Sequence, residues 1–209
     1  MVSLESEPAS RSRVERRKEK TRRILMEVAL GLFYEKGLYW TKIEDITESA
    51  DIGKGTFYQY FATKEALIRA LLERGLSTLL VQTEMALRGV KPGAKAIARI
   101  VQARLDYFLE NPEYLLLFHQ VRGLLQLKTK PAEELREVYN QYFDQLAKLI
   151  RPSLNGRPGS AAARDLALAL TAFTSGLLTH QLLFSKEGDY KRRRETVKEQ
   201  LERGLQALL

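Results

Sequence analysis

The run Lys54-Gly55-Thr56-Phe57-Tyr58-Gln59-Tyr60 carries groups that could read the edges of base pairs. The Lys54 amine can donate to guanine, the Gln59 amide can pair with adenine, and the Thr56 methyl can touch a thymine methyl. Gly55 lets the backbone approach a groove wall closely. Tyr58 and Tyr60 have hydroxyls that can reach phosphates. Thr41 and Lys42 upstream, and Lys64 downstream, stand where two further helices should begin, and a helix N-terminus attracts phosphate. Phosphate contacts set register, and only a few side chains set sequence. The chemistry on offer is docking on double-stranded DNA.

Such groups work only if a frame aims them. Ile46 and Ala50 share one helical face, and Ala50 is small where two helices must cross. Ile52 can plug a turn, and Phe57 and Phe61 fall one helical turn apart and should point inward. Asp51 sits in that turn, where a left-handed backbone is wanted and aspartate is better tolerated than most residues. This is the skeleton of a helix-turn-helix over about residues 41–60, whose second helix enters the major groove. Thr41-Lys42-Ile43-Glu44 reads as a capping box that opens its first helix, and about Lys54 to Tyr60 forms the second.

The rest of the chain reads as helix. Ile24, Val28, Leu32 and Phe33 give a first helix from about Glu15 to Lys36, closed by Gly37. Thr63 caps a long helix, Pro92-Gly93 precedes one of about Ala94 to Glu110, and Asn111-Pro112 restarts the next, running to about Leu127. Another starts at Pro131 and ends near Arg151-Pro152. A loop at Asn155 to Ser160 precedes a helix whose stretch Leu166 to Phe184 has no charge. A turn at Glu187-Gly188-Asp189 leads to a last helix, about Tyr190 to Leu208, with Val197, Leu201, Leu205 and Leu208 on one side. Strand signals are missing, so the expected fold is all-α, an N-terminal three-helix helix-turn-helix domain plus a C-terminal helical bundle, about nine helices.

The formal net charge is +8, which favours a polyanionic partner. Arg11, Arg13, Arg16, Arg17, Lys18, Lys20, Arg22 and Arg23 crowd the N-terminal region, offset by Glu15 and Glu19. Cysteine is absent, which excludes disulfides and thiolate metal sites. The first ten residues do not form a secretory signal, so a cytoplasmic protein is expected. The charge-free stretch is as long as a membrane span, but Thr171, Thr174, Ser175, Thr179, His180 and Gln181 make it a costly one. A helix buried on most sides of a bundle fits better, with no membrane partner. No glycine-rich phosphate loop, nucleophile elbow or metal motif occurs, so neither an enzyme nor a cofactor is expected.

The stretch Thr21 to Leu72 resembles the DNA-binding domain of TetR-type transcriptional regulators. The matching pieces are Ile24-Leu25, Ala29, Leu32-Phe33 and Gly37, then Thr41-Lys42-Ile43-Glu44-Asp45-Ile46, then Lys54-Gly55-Thr56-Phe57-Tyr58-Gln59-Tyr60-Phe61 and Lys64-Glu65-Ala66-Leu67. They cover about a quarter of the chain. Thr47, Asp51 and Gly53 depart from the alanine, glycine and serine usual in the family. The resemblance implies DNA contacts at Thr41, Lys42, Thr56, Tyr58, Tyr60 and Lys64, with Lys54, Gly55 and Gln59 choosing the operator.

It also implies a flexible basic tail at 1–14, a DNA-binding domain at 15–62 and an effector-binding and dimerisation domain at 63–209. A homodimer through the last two helices would read a palindromic operator. Tyr107, Phe108, Phe118, His119, Arg122, Tyr139, Tyr142, Phe143, Phe173 and His180 are the candidates for an effector pocket. Arg122 stands out, because a cation sharing a face with Leu115, Phe118 and Leu125 needs a partner. The function expected is a homodimeric repressor released from DNA by a small apolar or amphipathic ligand. The alternative is a DNA-binding regulator without an effector, controlled by a protein partner or by abundance.

Overall fold

The computed structural model describes residues 12–154 and 159–184, with Glu199 and Arg203 as isolated positions. Residues 1–11, the Asn155–Pro158 part of the loop, the 187–189 turn and, apart from those two positions, the stretch expected as the last helix lie outside the described residues. The fold is all-α, with α1 (Arg13–Glu35), α2 (Ile43–Ser49), α3 (Lys54–Tyr60), α4 (Lys64–Leu87), α5 (Ala94–Glu110), α6 (Pro112–Leu124), α7 (Lys130–Ile150) and α8 (Ser160–Phe184). A short 3-10 turn, Arg151–Ser153, follows α7.

Helix α1 starts earlier than expected, at Arg13. The Ser12 hydroxyl accepts from the Glu15 N–H at 3.2 Å and the Glu15 carboxylate accepts from the Ser12 N–H at 2.8 Å. That capping box makes residues 12–14 the entrance of a helix, not part of a tail. The basic residues from Arg13 to Arg23 therefore ride on α1.

The buried faces of α1 to α4 meet in one small core. Leu25, Ala29 and Phe33 of α1 pack with Ile46 of α2, Phe57 of α3, Phe61, and Leu67 and Leu71 of α4, all nearly solvent-free. Helix α4 is the spine of the molecule, packing against α1 as well as α5, α6 and α7. Its Gly75 lies under α6. An added methyl group would fall 2.5 Å from the Tyr114 ring and 2.8 Å from Phe118, so the two helices cross where only glycine leaves room.

Helix α8 packs on α5, α6 and α7 through Ala163, Ala167, Leu170, Thr174 and Leu178. Its other face is a correction to the expected helix buried on most sides. Ala162, Leu168, Ala169, Ala172, Gly176, His180 and Leu183 are exposed. By length and composition α8 is apolar enough to cross a membrane. Its buried hydroxyls are turned back on the helix, Thr174 donating to the Leu170 carbonyl at 2.7 Å and Ser175 to that of Thr171 at 2.6 Å.

Candidate nucleic-acid interface and internal cavity

The turn between α2 and α3 has the geometry its residues require. Asp51 has φ 52°, the one positive φ outside glycine among the described residues. The Ile52 N–H donates to the Thr47 carbonyl at 2.9 Å. Thr47 is buried, and its hydroxyl donates to the Glu44 carbonyl at 3.0 Å, so a threonine fits where a smaller residue would suffice. Gly53 is the N-cap of α3 with extended backbone, and it offers no side chain to the free N–H groups. Phe57 is solvent-free and its ring lies 5.9 Å from that of Phe61, which anchors α3 from behind.

The outward face of α3 follows from that anchoring. Lys54, Gly55, Tyr58 and Gln59 are exposed, and Thr56 and Tyr60 are half-buried. The rings of Tyr58 and Phe57 stand at right angles with centres 5.5 Å apart, so Tyr58 is braced on the core while about half of it stays exposed. Gln59 and Tyr60 share an open groove with Glu15, Lys18, Glu19 and Arg22 of α1, which brings charges of both signs on that helix beside the reading helix. The Arg22 guanidinium lies 5.3 Å from the centre of the Phe61 ring, a contact that no local sequence signal announces.

Lys54 does not stand free, since its amine donates to the Glu44 carboxylate across the turn. That hydrogen bond holds Glu44 below its ordinary pKa and raises that of Lys54. To reach a guanine edge, Lys54 must leave Glu44. Glu44→Gln is therefore expected to raise DNA affinity severalfold, because it removes both a competitor and an anion near phosphate. Titration of a bound DNA fragment checks this, with no loss of thermal stability expected from an exposed pair.

Two expected phosphate contacts face inward. Thr41 is fully buried, and its hydroxyl donates to the Gly37 carbonyl at 2.9 Å and lies 3.3 Å from that of Leu32. It closes the end of α1 and does not open α2. The N-cap of α2 is Lys42, whose N–H donates to the Asp45 carboxylate at 2.8 Å. Asp45, and not Glu44, makes the return bond, because the helix begins one residue later than Thr41 at its head would give. Lys42 remains exposed. Lys64 is half-buried, and its amine donates to the carbonyls of Leu38 and Thr41, each at 3.0 Å. It braces the α1–α2 turn against the start of α4.

Behind this head, α4 to α8 enclose a narrow cavity. Its volume of about 20 Å³ suits roughly one water molecule. Of the expected pocket residues, Phe108, Phe118, His119, Arg122, Tyr139 and Tyr142 line it. Tyr107, Phe143, Phe173 and His180 do not. Tyr107 is buried with its ring against Phe108 and Tyr114. Phe143 packs on Tyr139 and Tyr142 outside the cavity, and His180 stacks on Phe184 at the exposed end of α8. Burial pushes the Tyr107 and Tyr139 hydroxyls well above their ordinary pKa, so both stay protonated.

The sequence profile of bacterial regulatory proteins of the tetR family matches residues 25–71, and that of the C-terminal domain of BetI-type transcriptional repressors matches residues 93–206. The second match alone spans more than half of the chain. The chain belongs to the tetR family. That family consists of bacterial regulatory proteins. An uncharacterised helix-turn-helix regulator of Bacillus subtilis, YvdT, is 25% identical over 130 residues, 62% of this chain and 65% of its own length. The chain thus spans just under two thirds of that relative. A transcriptional regulator from Aquifex aeolicus has the same fold, with TM-score 0.66 at 22% identity over 90% of this chain and 99% of its own. A regulator from Saccharomonospora viridis, solved in complex with choline, has TM-score 0.62 at 21% identity over 88% and 96%.

Two residues of this tetR-family chain were not singled out from its sequence. Gln120 of α6 accepts from the Leu38 N–H at 2.5 Å and donates to the Phe33 carbonyl at 3.3 Å. It caps the end of α1 from a helix more than eighty residues away. Arg104 of α5 is the other, and it lines the cavity. The signal for it was present, because Ile97, Ile100, Val101, Arg104, Leu105 and Phe108 fall at helical spacing on one apolar face.

Proposed function

We propose that this regulator is a homodimeric repressor that holds a palindromic operator and is released from it by a small apolar or amphipathic ligand. The observation that carries this reading is the double use of α6. One side of α6 walls the cavity through Leu115, Phe118 and His119, while its Gln120 grips the turn after α1. A ligand that parts α6 from α7 and α8 would pull on the reading head. It can shift the equilibrium only by the difference in its affinity for the two arrangements. The choline held by the similarly folded Saccharomonospora regulator supports a ligand in this class of fold.

The exposed, uncharged face of α8 supports dimerisation. Ala169, Ala172 and Gly176 allow close approach to a twin helix. Apart from Glu199 and Arg203, the last helix, the other half of the expected interface, lies outside the described residues. We divide the chain as a reading head at 15–62 and a sensing and pairing domain at 63–209, acting in the cytoplasm. The proposed DNA contacts are Lys42, Lys54, Gly55, Thr56, Tyr58, Gln59 and Tyr60.

Selection of bound fragments from genomic DNA tests the whole reading, since a dimer should recover a palindrome. In light scattering the parent should have a dimer's mass and Gly176→Glu a monomer's, with operator binding lost in the variant. A monomeric parent would overturn the dimer. The small volume of the cavity favours a second reading, a regulator without an effector. A thermal-shift ligand screen separates the two, because a bound ligand raises the midpoint.

A further inference from the structure

We infer that the cavity takes the carboxylate of an amphipathic organic acid, with Arg104 as its anchor. The inference rests on the ligand-responsive reading above and adds the charge of the ligand. Arg104 is 1% exposed. Its Nε donates to the Thr174 hydroxyl at 3.0 Å and its Nη1 to the Tyr142 hydroxyl. Its guanidinium also lies 5.7 Å from the Phe108 ring centre and 5.9 Å from that of Tyr142. All of these partners are neutral. Among the described residues no carboxylate forms an ion pair with it. A guanidinium stays charged, and a buried charge without a counter-charge is costly.

A second, independent feature marks the same spot. The Thr171 hydroxyl also faces the cavity, and its oxygen is buried with no hydrogen-bond partner. Arg122 reaches the cavity from α6, its Nη2 donating to the Ser175 hydroxyl at 3.0 Å. The wall thus holds two guanidiniums and an imidazole and no aspartate or glutamate. That balance suits an anion and disfavours a cation such as a quaternary ammonium. A guanidinium and a hydroxyl together match the two oxygens of a carboxylate. The remaining wall, Leu76, Leu79, Leu115 and Phe118, is apolar and suits a hydrocarbon body. At about 20 Å³ the cavity admits no such body without these side chains parting, which couples entry to a movement of α6.

Decanoate, decanol, decyltrimethylammonium and acetate, added singly to the full chain, separate charge from body. Calorimetry and thermal shift should show decanoate binding at least tenfold tighter than the other three. Arg104→Met should lose that preference while its unliganded midpoint stays level or rises, because an apolar side chain replaces an uncompensated charge. Thr171→Val, a near-isosteric change, should weaken decanoate severalfold without lowering the midpoint. Equal binding of decanol and decanoate by the parent would overturn the inference even if Arg104→Met failed to fold. So would acetate binding as tightly as decanoate, or an Arg104→Met protein that is destabilised yet keeps its decanoate affinity. Release of operator DNA by decanol or by the ammonium, with no effect of decanoate, would sink the carboxylate and leave ligand release standing. Tight decanoate binding without release of DNA would do the reverse.

Discussion

Tyr58→Ala is expected to weaken operator binding by about 150-fold while helix content and thermal midpoint stay unchanged. The figure takes about 1.5 kcal/mol for one hydrogen bond to a charged phosphate oxygen, lost at both half-sites of a dimer, for about 3 kcal/mol in all. Tyr58 is 48% exposed, so its removal leaves no cavity behind α3. Its ring meets that of Phe57 at right angles, and Phe57 keeps its place against Phe61. Tyr58→Phe separates hydroxyl from ring. If the hydroxyl grips phosphate, Phe should lose most of what Ala loses. Binding should also fall steeply with salt, since phosphate contacts release counterions. Unchanged affinity in Tyr58→Ala would remove Tyr58 from the interface and turn attention to Lys42 and Gln59.

What the sequence made legible was what neighbours in the chain decide. Asp51 could be placed in a left-handed turn, and Phe57 and Phe61 on an inner face, because a few adjacent residues settle both. Contacts over distance are what local sequence does not show. Thr41 looks like a helix cap from its neighbours, yet its hydroxyl turns back to the end of α1 and adds a second donor to the carbonyls of Leu32 and Gly37, which already accept the N–H groups of Lys36 and of Thr41 itself. The hook of Gln120 on Leu38 joins residues 82 apart, and the Arg104–Thr174 bond joins residues 70 apart. No spacing rule reaches that far. For the cavity, Leu115, Phe118 and Leu125 mark Arg122 as a cation on an apolar face. Arg122 is exposed, and Arg104, on a face at least as apolar, is the one that is buried. Aromatic residues misled for a related reason. Tyr107, Phe143 and Phe173 have the same spacing as residues that do line the cavity, and helix rotation alone decides which side of the bundle they meet.

Lys64 brings the reading head and the fold together, and Lys64→Met is expected to impair both. Its amine satisfies two carbonyls of the α1–α2 turn, those of Leu38 and Thr41, which lie 26 and 23 residues before it. Methionine keeps much of the side chain's volume but leaves both carbonyls without that donor. The loss is put at about 2 kcal/mol, toward the lower end for charged hydrogen bonds because the site is half-buried. For a chain of this size that lowers the thermal midpoint by about 4–8 °C. DNA binding should weaken as well, because Lys42 and the start of α2 hang on the turn that Lys64 holds. The salt dependence tells the two roles apart. A lysine that grips phosphate takes about one unit of salt slope per half-site with it when removed. A lysine whose donors go to protein carbonyls leaves the slope nearly unchanged while the affinity falls at every salt concentration. Weakened binding with an unchanged slope and a lowered midpoint is the expected result. A normal midpoint with a reduced slope would instead make Lys64 a direct phosphate ligand, and the turn would then have to be held by Thr41 and Gln120 alone.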